Sequence, residues 1–137
     1  MTMLEKAREI AGKAHAGQTR KGGEPYINHA VRVSEAAAKY SEDAAIVGML
    51  HDVVEDAEDA RSAIFAISEA GFSNDVLAAI GNITKKCAES YLFYILNIRC
   101  VGGLSKTVKL CDLADNLNGA TGTLKDKYEM AQWILEH

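Results

Sequence analysis

Ser41-Glu-Asp-Ala-Ala-Ile-Val-Gly-Met-Leu-His-Asp-Val-Val-Glu-Asp56 is the stretch on which the fold turns. It opens on Ser41, a residue that caps helices, and runs on through good helix formers. At about 100° per residue, Ile46, Val47, Met49, Leu50, Val53 and Val54 share one broad arc. His51, Asp52, Glu55 and Asp56 share the opposite arc, with His51–Glu55 and Asp52–Asp56 as i,i+4 neighbours. That polar arc otherwise holds only Ala44, Ala45 and Gly48, with no Lys, Arg or Gln. Two readings follow. One is a surface helix ending in an acidic patch, although three carboxylates on adjacent turns repel one another. The other is a face that holds a cation, which reverses the local charge logic.

Outward from this helix, the pattern repeats. Apolar residues recur at helical spacing over Thr2 to Ala16, and Asn28 is placed to cap a helix that reaches about Tyr40. Further helices are expected at Ala60 to Ala70, Ser73 to Ile83, Ser90 to Ile98, Leu104 to Asn118 and Leu124 to Leu135. The stretch Gln18-Thr-Arg-Lys-Gly-Gly-Glu-Pro-Tyr26, with two adjacent glycines and the chain's only proline, reads as a loop. No run alternates as a strand does. The 137 residues include 21 alanines against one proline, a balance that favours helix. The expectation is a single all-α domain, residues 1–137, of about seven or eight helices.

Composition excludes several classes. Hydrophobic residues are 48% and charged residues 25%, as in a soluble globular chain. A net charge of −4 argues against a nucleic-acid partner, while a local cation still permits an anionic small molecule. Cys87, Cys100 and Cys111 form an odd set without CxxC spacing, which suits reduced thiols in a cytoplasm. The first residues turn charged at once, unlike a signal peptide. The longest apolar run, Ala44 to Leu50, is far short of the ~20 residues that cross a membrane.

A second polar stripe lies in Leu104 to Asn118. Leu104, Val108, Leu110, Cys111, Leu113, Ala114 and Leu117 cover most of that helix's circumference, which marks it as buried. Ser105, Lys109, Asp112 and Asn116 run through it as a narrow band. An ionised carboxylate buried without a partner is costly. Asp112 therefore needs either Lys109, three residues earlier, or a metal ion. Asn116 is one turn further on and within reach of the same pocket and a substrate. Asp115 points elsewhere and reads as solvated or salt-bridged. His29, after the loop, is a further candidate ligand, although a lone histidine reads first as structural. His15 reads as structural, and His137 is terminal.

Four stretches together carry a resemblance: Ala14-His-Ala-Gly-Gln-Thr-Arg-Lys-Gly-Gly-Glu-Pro-Tyr-Ile-Asn-His29, Leu50-His-Asp-Val-Val-Glu-Asp56, Ile83-Thr-Lys-Lys86, and Val108-Lys-Leu-Cys-Asp-Leu-Ala-Asp-Asn116. In that order and spacing, the chain resembles the HD-domain hydrolases of the RelA/SpoT type, specifically the small stand-alone alarmone hydrolases. The resemblance implies an α-helical HD-domain bundle with one divalent metal ion, usually Mn²⁺, held by His29, His51, Asp52 and Asp112. Two imidazoles and two carboxylates suit such an ion. Glu55 and Asp56 would be the catalytic pair beside it, orienting and deprotonating water. Arg20, Lys21, Asn116 and Tyr128 would bind the nucleotide, with Lys125 or Lys127 near Tyr128.

The implied reaction is removal of the 3′-pyrophosphate of (p)ppGpp, giving GDP or GTP. The ion lowers the pKa of a water, Glu55 or Asp56 takes its proton, and Arg20 with Lys21 offsets phosphate charge. Another nucleotide in the same fold, such as an adenosine alarmone, NADPH or a dNTP, and a non-catalytic alarmone-binding module are the alternatives. Compared with the family, the chain stops about one helix after Tyr128, which would open the pocket or leave a surface for a homodimer. The segment from Cys87 to Tyr94 is more apolar than the family leads one to expect and reads as core or as an oligomer contact.

Overall fold

A computed structural model of the chain describes residues 1–137. It is all-helical: α1 Met3–Ala14, α2 Tyr26–Ala37, α3 Glu42–Leu50, α4 Val53–Asp56, α5 Ala60–Glu69, α6 Asn74–Ile83, α7 Tyr91–Val101, α8 Gly103–Leu117 and α9 Gly122–Glu136. Eight helices of nine residues or more, plus the four-residue α4, meet the expected seven or eight. No strand forms; Thr19 and Pro25 make one isolated bridge across the loop. Five of the helices begin where a side chain takes an orphan amide. Thr2 and Glu5 form a reciprocal capping box, and Ser41, Asp59, Ser73 and Ser90 each accept from an amide three residues on.

Two boundaries differ from the sequence reading. Helix α2 starts at Tyr26 rather than after Asn28, because Pro25 supplies the fixed φ of a helix start and Asn28 lies inside the first turn. The single helix expected over Ser41 to Asp56 is broken at His51–Asp52, where Asp52 sits at φ −109°, ψ 0°. The imidazole causes part of this break. His51 Nδ1 donates to the Gly48 carbonyl at 2.6 Å, capping the end of α3 with a side chain. The turn carries the Asp52 backbone out of the helical path, and α4 starts again one residue later.

Helix α3 is the centre of the molecule. Every residue from Ala44 to Leu50 is buried, so the small-residue arc that looked polar on a wheel is covered by protein as well. It packs on α1, α2, α6 and α8. The α2 crossing is close: a Cβ on Gly48 would sit 3.0 Å from Ser34 Cα and 3.1 Å from Ser34 N. Ser34 Oγ donates to the Ala45 carbonyl at 2.8 Å across the same crossing.

Helix α8 joins two hydrophobic cores. Val108 belongs to the larger one, built from α1, α2, α3, α5 and α6. Leu113 belongs to a smaller one with Tyr94, Ile95, Ile98, Ala131 and Leu135 of α7 and α9. The stripe of Lys109, Asp112 and Asn116 lies on the same helix as these two anchors, with Lys109 and Asp112 buried. The Cys87–Tyr94 segment divides accordingly: Tyr94 is core, whereas Leu92 and Phe93 are exposed.

Candidate metal centre

Four elements bring His29, His51, Asp52 and Asp112 together. His29 comes from the first turn of α2, His51 from the end of α3, Asp52 from the break and Asp112 from α8. One ligand atom from each lies within 4.8 Å of the others. His29 Nε2 is 2.9 Å from Asp112 Oδ1 and 3.8 Å from Asp52 Oδ2. His51 Nε2 is 3.1 Å and 2.9 Å from the same two atoms. His29, His51 and Asp112 are at most 3% exposed, so their charges interact in a low-dielectric surrounding.

The far side of each ring fixes its tautomer. A carbonyl can only accept, so His51 Nδ1 carries the hydrogen given to Gly48. His29 Nδ1 donates in the same way to Asp115 Oδ2 at 2.6 Å. Both Nε2 atoms are thereby turned inward at two carboxylates. Burial disfavours a charge on His51, but Asp52 and Asp112 outweigh it and hold its proton well above the usual imidazole range. Burial pushes Asp112 up, but Lys109, His51 and His29 together hold it well below the carboxylate range. Asp52 is lowered against burial in the same way, chiefly by His51. The cluster therefore demands positive charge at its centre, and a divalent cation on two imidazole nitrogens and two carboxylate oxygens meets that demand. The residues fit such an ion.

Glu55 and Asp56 follow on α4. Burial, then the charge of Asp52, raises both above the ordinary carboxylate range. Glu55 Oε1 accepts from the Lys85 amide at 2.9 Å, so the Ile83–Lys86 stretch meets the site through its backbone. The loop that carries Arg20 is closed by Arg20 N to Glu24 O at 2.8 Å and Tyr26 N to Gln18 O at 2.9 Å. Gly22 and Gly23 both hold φ near +90° there, a conformation in which a side chain is strained. Arg20 donates to Asn116 Oδ1 at 2.8 Å and to Asp115 Oδ2 at 3.3 Å. Asn116 in turn donates to Asp112 Oδ1 at 3.2 Å. Arg20 and Asn116 thus brace the loop against α8. Lys21 is exposed at the loop tip and makes no hydrogen bond or ion pair. Tyr128 is half-buried on α9 within the fields of Asp112, Lys109 and Arg20.

Asp112 can serve Lys109 and a metal ion at once. Lys109 Nζ donates to Oδ2 at 2.8 Å, while Oδ1 faces the imidazoles. Asp115 needs correction. It is salt-bridged, to Arg32 at 2.8 Å and Arg20 at 3.3 Å, but it also orients His29 and so serves the site from behind. Tyr26 has the same kind of role on Asp52. Burial and the Asp52 charge keep its phenol protonated, and its hydroxyl donates to Oδ2. Only tertiary contact reveals these two residues, because 86 positions separate His29 from Asp115. His15 is buried, its ring centroid 4.8 Å from that of Tyr26. Its Nδ1 is 2.9 Å from Gln18 Oε1, and Gln18 Nε2 donates to the Asp56 carbonyl at 2.8 Å. A groove of about 910 Å³ between α1 and α5 touches this region only through Gln18 and carries none of the site's carboxylates or imidazoles.

A family model described as HD domain matches residues 7–85. A protein of Borreliella burgdorferi named guanosine-3′,5′-bis(diphosphate) 3′-pyrophosphohydrolase is 44% identical over 82 residues, covering 58% of this chain and 12% of that protein. A probable chloroplastic GTP diphosphokinase of Oryza sativa subsp. japonica is 28% identical over 128 residues, covering 84% of this chain and 18% of its own length. The chain thus spans less than a fifth of either relative. Among solved structures, one described as a metazoan ortholog of SpoT that hydrolyses ppGpp superposes with a TM-score of 0.77 at 24% identity, covering 98% of this chain and 84% of that one. That likeness shows the fold. The family model covers more than half of the residues and takes in three of the four clustered side chains, His29, His51 and Asp52. The chain belongs to the HD domain family.

Proposed function

We propose that this chain is a metal-dependent phosphohydrolase that removes the 3′-pyrophosphate of (p)ppGpp, with Mn²⁺ as its ion and residues 1–137 as one HD-domain unit. The observation that carries the reading is the convergence of His29, His51, Asp52 and Asp112 beside two carboxylates of raised pKa, Glu55 and Asp56. The named activities of the Borreliella burgdorferi relative and of the metazoan ortholog support the choice of nucleotide.

His29, His51, Asp52 and Asp112 would hold the ion. When bound, it supplies a fixed positive charge that acidifies water and offsets charge on the attacked phosphorus. Everything else falls to the chain. Asp115 and the Gly48 carbonyl keep the imidazoles in the tautomer that leaves Nε2 free to ligate. Glu55 or Asp56 takes the proton of the attacking water, and their raised pKa values bring them nearer the working pH of a general base. The water oxygen bonds to the phosphorus on O3′, the P–O3′ bond breaks, the ribose oxygen takes a proton, and pyrophosphate leaves. Lys21 is a cation free to meet phosphate, whereas Arg20 is committed to Asn116 and Asp115.

Incubation with ppGpp and Mn²⁺, resolved by chromatography, tests this reading. The expected products are GDP and pyrophosphate in equal amounts. Cleavage of a different nucleotide in a parallel panel, with ppGpp untouched, moves the assignment to that substrate. Ligand recovered intact after prolonged incubation makes the chain a binding module.

A further inference from the structure

Gln18, just past the end of α1, ties two helices of the metal centre together. Its main-chain carbonyl accepts from the Tyr26 amide at 2.9 Å, which fixes the start of α2, the helix that carries His29. Its side-chain Nε2 donates to the Asp56 carbonyl at 2.8 Å and to the Ala14 carbonyl at 3.1 Å. Asp56 is the last residue of the four-residue α4. A single turn closes too few hydrogen bonds to offset its own ordering, so tertiary contacts must hold it. Two hydrogen bonds reach α4 from distant elements. The Lys85 amide donates to the Glu55 carboxylate, and the Gln18 amide takes the main chain of Asp56.

His15 locks that amide. A carbonyl can only accept, so the nitrogen end of the Gln18 side chain must face Asp56 and Ala14, and Oε1 faces His15. His15 Nδ1 therefore carries the hydrogen and donates to Oε1 at 2.9 Å. Its Nε2 is left as an acceptor with no accessible surface and no partner. An orphaned acceptor costs stability, and a phenylalanine would fill the place against the Tyr26 ring without one. The polar gain that sets this imidazole apart from an apolar ring is thus its bond to Gln18. The chain of contacts runs from His15 through Gln18 to Asp56, and none of the three is a ligand in the His29–His51–Asp52–Asp112 cluster.

We propose that Gln18, locked by His15, is the positioning residue for Asp56, setting where its carboxylate stands relative to the metal centre. The proposal rests on the reading of Asp56 as a candidate base for its effect on turnover, and its first readout does not use turnover. Gln18→Met keeps the side chain's length and removes its hydrogen bonds, while the main-chain bond to Tyr26 remains. His15→Phe keeps a ring against Tyr26 and frees the Gln18 amide to turn. Wild type and both variants, as full chains with one equivalent of Mn²⁺, are compared first by amide hydrogen exchange. The Asp56 and Ala57 amides bond to the Asp52 and Val53 carbonyls. In Gln18→Met they are expected to exchange about tenfold faster, with the α8 amides as in wild type. With ppGpp, kcat is expected to fall about 10–100-fold while KM and a stoichiometry of one Mn²⁺ per chain stay unchanged. His15→Phe is expected to move both readouts the same way by a smaller factor, without a lower melting temperature. Wild-type exchange in α4 of both variants overturns the proposal, as does Gln18→Met with the kcat of an active wild type. Exchange raised equally in every helix, or loss of the bound Mn²⁺, also overturns it, since Gln18 then serves the whole fold or the ion. Faster exchange confined to α4, in a protein whose wild type leaves ppGpp intact, keeps the positioning role and removes the ppGpp assignment.

Discussion

Asp115 holds His29 from behind: Nδ1 of the imidazole donates to Oδ2 of the carboxylate at 2.6 Å, while Nε2 faces the cluster. Arg32 and Arg20 steady the same carboxylate from its open side. The ring is therefore held in one tautomer and one orientation before any ligand arrives. Replacing such an orienting carboxylate costs about 10–100-fold in metal affinity where it has been measured. Asp115→Ala is expected to lower Mn²⁺ affinity by that order while the helical circular dichroism stays that of wild type. A competition titration against a metallochromic indicator measures it, and unchanged affinity refutes the orienting role.

Metal binding is expected to release protons. Asp52 and Asp112 hold the His51 proton above its ordinary range, so a cation entering the cluster must displace it. Affinity for Mn²⁺ therefore rises with pH through and above neutrality. Titrations in two buffers of different ionisation heat count the protons released, and a heat independent of buffer contradicts the proton-filled cluster.

The same groups shape the stability of the metal-free protein. His51 has a raised folded pKa, so its contribution is complete below about pH 6.5, its unfolded value, and is lost as pH rises through the folded one. Asp52 and Asp112 have lowered folded values, so theirs is present above about pH 3.9 and is lost as pH falls further. The metal-free protein is expected to melt highest in mildly acidic solution and to weaken on the alkaline side, where Mn²⁺ restores it. Melting curves across pH, with and without Mn²⁺, check this. A metal-free protein whose melting temperature climbs steadily from acid to alkaline pH contradicts it.

Glu55 and Asp56 are expected to matter for turnover rather than for holding the ion. Glu55→Gln and Asp56→Asn keep the size of each side chain and remove its proton-accepting charge. Loss of a general base costs about 10²–10⁴-fold in kcat. One of the two variants should show that loss with Mn²⁺ stoichiometry intact. If both turn over as wild type does, neither carboxylate is the base.

Gly48 tests the packing beneath the site. Gly48→Ala gains up to about 1 kcal/mol of helix propensity. The added Cβ meets Ser34 backbone atoms at 3.0 and 3.1 Å, which cannot rotate away. Overpacking of this kind costs about 1–3 kcal/mol, so the clash is expected to win and lower the melting temperature by a few degrees. A more stable variant would show that α2 can yield.

Much of this was legible in the sequence for physical reasons. Helices such as α6 and α8 declared themselves through a local pattern, a Ser cap or an apolar circumference. The four clustered side chains were legible through motif resemblance, and a buried Asp112 required a partner. The break at His51–Asp52 was not legible, because it depends on an imidazole reaching back to the Gly48 carbonyl while helix periodicity runs on regardless. Asp115 and Tyr26 were hidden because each acts across a tertiary contact on a residue distant in the chain.

Metal stoichiometry in Asp52→Asn bears on the centre most directly. Mn²⁺ bound per chain, counted by electron paramagnetic resonance after equilibrium dialysis, is expected to be one for wild type. For Asp52→Asn it is expected to be near zero, with the helical circular dichroism unchanged and hydrolysis of ppGpp abolished. A well-folded Asp52→Asn protein that binds one Mn²⁺ and turns over at the wild-type rate would contradict the His29–His51–Asp52–Asp112 centre.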